Sequence, residues 1–379
     1  MELNGDAQQT AARPRNNHIS NAKHGKKAKK GKQNSDELSP TDRAVVREFR
    51  NWLCNQPGAA VEEARAFKAI MLYARALGID PNTPDGIEDL IHPAREFDDP
   101  ETSLTSLVLM RDYARFHLDR DKDDAWETAV ESVTFALETL QTKMTLGAVN
   151  QAGLDLDSDV RRRACAQTLV VSKVAQLLEW LGDGRKVTVS GALRRADIAE
   201  VAAMLGIAAV GTNKRPAGSD GSAIYARSMS DVPVLDAWWG ALEMAGLTYT
   251  ISDRVRPGPF AAHWSDKPLP PLEPAEMLIG MFIILVIGDW PTEPSETEDE
   301  GMWLTLAHLV AAVSPNASLV SNEGNDPVVV ELAMSKLRQL EQVGVVNIDE
   351  SGEVTVPLAL QGVMAHSLLV TLDELEDAD

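Results

Sequence analysis

From residue 39 onward the chain places apolar side chains at helical spacing. In SPTDRAVVREFRNWL, Val45, Phe49, Trp52 and Leu53 fall on one stripe, as a single buried helix face requires. Ser39 precedes the stripe as an N-cap, Pro40 suits the first helical position, and Asp42 stands in the positive first turn. Stripes of the same kind run over 64–77, 104–118 and 125–140, with Gly78, residues 81–86 and residues 98–100 as punctuation. No strand-like alternation occurs before residue 150, so 39–150 is predicted to be an all-helical domain. The segment 147–159, which contains Gly, Asn and Asp, reads as the boundary that closes it.

Beyond that boundary the period changes repeatedly. A long helix is predicted over 160–181, ending at Gly182. Val187 and Val189 then alternate with polar residues before a turn at Ser190-Gly191. Helices over 196–205 and 234–245 stop at Gly206 and Gly246, with a loop rich in Gly, Ser and Pro over 211–222 between them. Residues 247–251 alternate like a strand, and Pro257-Gly258-Pro259 closes the unit. Prolines crowd 268–274, which reads as a linker, and the apolar run 277–287 opens the last domain. An acidic loop is expected over 291–301, then helices over 303–313 and 328–343. The second stops at Gly344 and leads into a strand, a turn at 349–352, and another strand before Pro357.

Gly246 and Gly344 supply an internal echo. Seven residues before them stand Trp239 and Leu337, four before them Leu242 and Leu340, and one after them Leu247 and Val345. A striped helix, a glycine that reverses the chain and a β-hairpin form the second half of a winged-helix module. The predicted fold is therefore mainly α with small β-hairpins. It comprises a disordered basic tail over 1–38, the helical domain, winged-helix-like modules over 160–265 and 275–370, and an acidic tail over 371–379.

The run WLGDGRKVTVSGALRRADIAEVAAMLGI, from Trp180 to Ile207, with VLDAWWGALEMAGL further on, resembles a region of actinobacterial proteins of unknown function. The resemblance spans about residues 175–265. It implies a bacterial cytoplasmic setting and carries no activity or catalytic residue to transfer.

Composition changes this picture little, but charge changes it considerably. At 44% hydrophobic and 25% charged residues, most of the 379-residue chain is expected to fold. The first thirty residues lack an apolar core of the kind a secretory leader needs, and the run 277–287 is too short for the ~20 residues that span a bilayer. No membrane association is expected. Cys54 and Cys165 stand far apart without a CxxC partner, which argues against a disulfide framework or a thiolate metal site.

The net charge of −21 is unevenly distributed. Residues 1–34 carry eight basic against two acidic side chains, and residues 159–256 carry thirteen against ten. Residues 35–158 and 257–379 are strongly acidic. Only the tail, with its lysine-rich stretch from Lys23 to Lys32, and the middle module can face a polyanion. In the middle module the candidate nucleic-acid contacts are Arg185, Lys186, Arg194, Arg195, Lys214, Arg215, Arg254 and Arg256. The helix before its hairpin offers Asp236 and Glu243 and no basic residue. Because Trp239 aligns with Leu337, it takes the core position, which leaves Trp238 partly exposed as a candidate partner contact.

No residue set points to catalysis, a metal or a cofactor. The Asp119–Asp124 stretch lacks the glycine and glutamate of a calcium loop, and Asp123 or Asp124 instead suits a helix cap. Gly182-Asp-Gly184 lacks the further glycines of a phosphate loop, and no two histidines share a helical face at ligand spacing. The expected function is a non-enzymatic protein-interaction or regulatory protein in the cytoplasm. The alternative is a DNA-binding transcriptional regulator using the middle module and the basic tail.

Overall fold

The computed structural model describes residues 38–56, 63–97, 99–214, 223–264, 269–291, 293–314, 320, 322 and 324–378. It is mainly helical, with small sheets. The chain divides into two compact units, one ending at Asp80 and one beginning at Pro81.

In the first unit, α1 (Pro40–Leu53) starts as the sequence predicts, with the Ser39 hydroxyl accepting the Asp42 amide at 3.0 Å. It pairs with α2 (Glu63–Leu77), and the rings of Phe49 and Phe67 meet at 4.5 Å. Asp42 is buried and bound by the Arg75 guanidinium at 2.8 Å.

The second unit opens with α3 (Pro84–Glu88), α4 (Ile91–Arg95), α5 (Pro100–Asp121) and α6 (Asp124–Leu154). Asp99 caps α5 and Asp123 caps α6, so the acidic stretch around Asp123 is a helix–helix turn. The expected boundary at 147–159 is corrected, because α6 runs unbroken through Gly147 to Leu154. The reason is packing: Leu146 is fully buried, and Gly153 lets α6 approach the last helix backbone to backbone.

The single helix expected over 160–181 is also corrected. It is three pieces, α7 (Ser158–Gln167), α8 (Leu169–Ser172) and α9 (Val174–Leu181). Thr168 is extended (φ −71°, ψ 144°) and its neighbour Leu169 donates its amide to the Val343 carbonyl at 2.9 Å. Next come β1 (Arg185–Lys186), α10 (Arg195–Met204), β2 (Ala209–Gly211), β3 (Ile224–Ala226), α11 (Pro233–Met244), β4 (Thr248–Ile251) and β5 (Arg254–Pro257). β1, β5 and β4 form one antiparallel sheet in that order. The parallel pair β2–β3 was not expected from the sequence.

The last stretch holds α12 (Leu272–Ile287), α13 (Glu296–Val313), α14 (Pro327–Gln342), the hairpin of β6 (Asn347–Ile348) with β7 (Val354–Thr355), and α15 (Gln361–Ala378). Half of the expected acidic loop is the first turns of α13. Ser295 and Glu298 cap each other reciprocally there, and carboxylates suit the positive helix end. The expected acidic tail is likewise helical as far as Ala378. Leu372 is buried and Lys143 of α6 binds Asp373 and Glu376.

The modules over 160–265 and 275–370 do not keep separate cores. One continuous core runs from Leu146 to Leu372 and includes Trp238, Ile283, Leu337 and Leu368. α12 is the cause: it is apolar on nearly all sides and packs on α7, α8, α11 and α15 at once. Among the described residues no helix is long and apolar enough to cross a membrane.

Candidate nucleic-acid interface

The β1–β5–β4 sheet positions the central cations. Directly opposed residues in antiparallel strands point to the same side, and neighbours along a strand alternate. Val255 and Thr248 are buried, which fixes their side as the inner face. Lys186 therefore stands on the outer face opposite Arg254, which in turn opposes Ile251. One rung along, Arg256 opposes Tyr249. On its other flank lies Gly184, where a Cβ would sit 2.9 Å from the Arg256 Cγ. The stem of Arg256 thus lies across the missing side chain. The outer face presents two rows, Lys186–Arg254–Ile251 and Gly184–Arg256–Tyr249.

Several of these side chains are anchored by carbonyls. The Arg254 guanidinium donates to the Gly184 oxygen at 3.0 Å. Arg185 lies at the sheet edge, donates from Nε to the Trp180 oxygen at 2.9 Å, and stacks 4.4 Å over the Trp180 ring. Arg194 reaches the Val187 carbonyl at 3.4 Å, and the amide of Val187 donates to the Asp253 carbonyl in the hairpin turn. Arg185, Lys186, Arg194, Arg254 and Arg256 are thereby gathered around one sheet.

Arg195 and Lys214 go elsewhere, to the β2–β3 pair. The Nε of Arg195 donates to the Arg227 oxygen at 2.9 Å, and Lys214 donates its amide to the Thr212 hydroxyl at the end of β2. Gly211 is required here, since a Cβ would overlap the Arg195 carbonyl. Arg227 joins this second cluster and was missed in the sequence. It is a lone cation between Ala226 and Ser228, and only the unexpected β3 brings its backbone beside Arg195. The carboxylate of Asp231 accepts the amides of Ser228 and Arg227, and these bonds hold its pKa below the usual range. Arg215 and residues 23–32 lie outside the described residues.

Among the described residues, none of Arg185, Lys186, Arg194, Arg195, Lys214, Arg227, Arg254 and Arg256 is in an ion pair. Arg75, Lys143, Arg161 and Lys336 all are. Asp183 and Asp253 stand in the turns at either end of β1 and β5 without drawing these cations into a bridge.

Trp238 is corrected as a partner contact. Its side chain is fully buried and its indole N–H donates to the Val170 oxygen at 2.9 Å. Trp239 is buried too and donates to the Gly191 oxygen at 3.1 Å. α11 is covered on two sides, so adjacent positions both face protein.

The other side of α11 is acidic. Asp236 and Glu243 line a cleft of about 830 Å3 with Asp289 and Glu374. Desolvation, and secondarily the charge of Asp289, pushes the Asp236 carboxyl above its ordinary pKa. Such a cleft repels a polyanion. Cys165 is buried, and loss of water with a contribution from Glu276 pushes its thiol up to about 12, which disfavours the thiolate. Among the described residues no group of three or more metal-ligating side chains is assembled. Comparison with known family models, curated proteins and solved structures returns no match, so the functional reading rests on the chain's own residues.

Proposed function

We propose that this chain is a non-enzymatic regulatory protein that contacts nucleic-acid phosphates through the outer face of its β1–β5–β4 sheet. Winged-helix-like geometry supports the reading. The order α9, β1, α10, β2, β3, α11, β4, β5, with β1 joined to the hairpin through its second strand, resembles that pattern with the β2–β3 pair inserted between its second and third helices. The α14–β6–β7 unit repeats its second half. One observation carries the proposal. In a chain with 57 acidic and 36 basic residues, Lys186, Arg254 and Arg256 share one sheet face and, among the described residues, have no ion-pair partner. Between a protein partner and nucleic acid, this placement favours nucleic acid.

The test is fluorescence anisotropy of the full chain with labelled oligonucleotides of about 20 nucleotides, single-stranded and duplex, from about 20 to 200 mM salt. Binding should weaken linearly on a log–log plot. The variant K186E/R254E/R256E should lose at least ~100-fold in affinity and flatten that slope by about two units. R338E, a charge reversal on α14, serves as the control and should change neither. No binding at the lowest salt, or unaltered binding by the triple variant, would overturn the proposal.

A further inference from the structure

We infer, resting on the nucleic-acid reading above, that the ligand of this sheet face is single-stranded, with Tyr249 as the platform on which a base stacks. Tyr249 is 40% exposed and Ile251 is 52% exposed, and both lie on the outer face beside the cations. Three other rings are engaged, with Arg185 over Trp180, Lys336 over Trp290 and Phe135 edge to face with Trp303, while Phe260, 45% exposed, lies against Gly246. Among the described residues Tyr249 has no ring contact, no cation–π contact and no side-chain hydrogen bond. Gly184 explains part of this, since the gap it leaves takes up the Arg256 stem on the flank away from Tyr249.

A duplex has little use for such a face, because its bases are stacked inside and offer no π-face to a tyrosine ring, only phosphates and base edges in the grooves. It could be read from the major groove by a helix, yet α11 has no Lys or Arg and carries Asp236 and Glu243. Nor can the hairpin reach into a minor groove, since only Ser252 and Asp253 separate β4 from β5. An unstacked strand, by contrast, exposes a π-face at every base and a phosphate beside it. Exposed aromatic side chains flanked by cations recognise that combination with little regard for sequence.

The experiment compares the same labelled single strand with its duplex on the full chain at fixed low salt. The single strand should bind at least tenfold tighter. Tyr249→Ala should weaken single-strand binding about tenfold, leave duplex binding unchanged and leave the salt slope unchanged, since stacking releases no counterions. Tyr249→Leu keeps the bulk and strand preference of the position without the π-face and should lose as much, whereas Tyr249→Phe should retain affinity. Equal affinity for duplex and single strand, or full binding by Tyr249→Leu, would overturn the inference while leaving the phosphate-contact reading in place. Absence of binding to either form would remove that reading itself.

Discussion

Gly246 and Gly344 make the same backbone reversal in different surroundings. Both have positive φ, +66° and +78°, which any L side chain resists. A Cβ at Gly344 would lie 3.9 Å from the Thr168 Cα, whereas one at Gly246 would lie 2.8 Å from the Phe260 ring. Gly344→Ala should therefore cost about 1 kcal/mol, the conformational part alone. Gly246→Ala should cost more, about 2 kcal/mol, because the ring must move as well. Urea midpoints of the two variants give the comparison, and equal losses would refute the steric account. These glycines were legible in the sequence because a helix that ends in a left-handed residue needs glycine there. Trp238 was not legible: adjacent helical positions diverge by about 100°, but the sequence does not say how many neighbours cover the helix.

At the scale of elements, stripes and caps carried most of the information. α1, α5, α11 and α14 begin and end near the residues that periodicity and capping indicate, because those signals are local. The failures were long-range. Gly147 and Gly153 look like linker residues, yet α6 continues through both. A Cβ at Gly153 would lie 2.5 Å from the Cα of Gly362 on α15, so the glycine serves helix contact. Gly153→Ala, although it raises helix propensity, should destabilise the second unit by about 2–3 kcal/mol, because backbone has to yield. Gly147→Ala, with open space around its Cβ, should be neutral or stabilising by up to ~1 kcal/mol. Thermal or urea unfolding of the pair separates packing from propensity, and a stable Gly153→Ala variant would show that α6 and α15 can separate freely. The break at Thr168 failed for the same reason: its cause is the distant Val343 carbonyl. β2 and β3 escaped notice because each is three residues long and its partner lies across a loop.

For the whole molecule, charge is the property whose consequences differ most between stability and binding. The chain carries −21 overall, and residues 257–379 hold twenty-one carboxylates against three basic side chains. Their mutual repulsion opposes folding and is screened by salt, since the Debye length falls to ~8 Å at 0.15 M. The ion pairs of the fold respond in the opposite sense, but exposed pairs such as Arg338–Glu331 contribute only about 0–1 kcal/mol each. Repulsion should prevail, so the melting temperature should rise by a few degrees between about 20 and 300 mM NaCl. Oligonucleotide affinity should fall over the same range, because the outer sheet face binds by exchanging counterions. Opposite signs in one buffer series require two separated charge populations in one chain. A melting temperature that fell together with affinity would mean that attractive pairs dominate the fold and that the cations of the β1–β5–β4 sheet belong to that network. In that case they would not form a surface held apart from the rest of the chain's carboxylates.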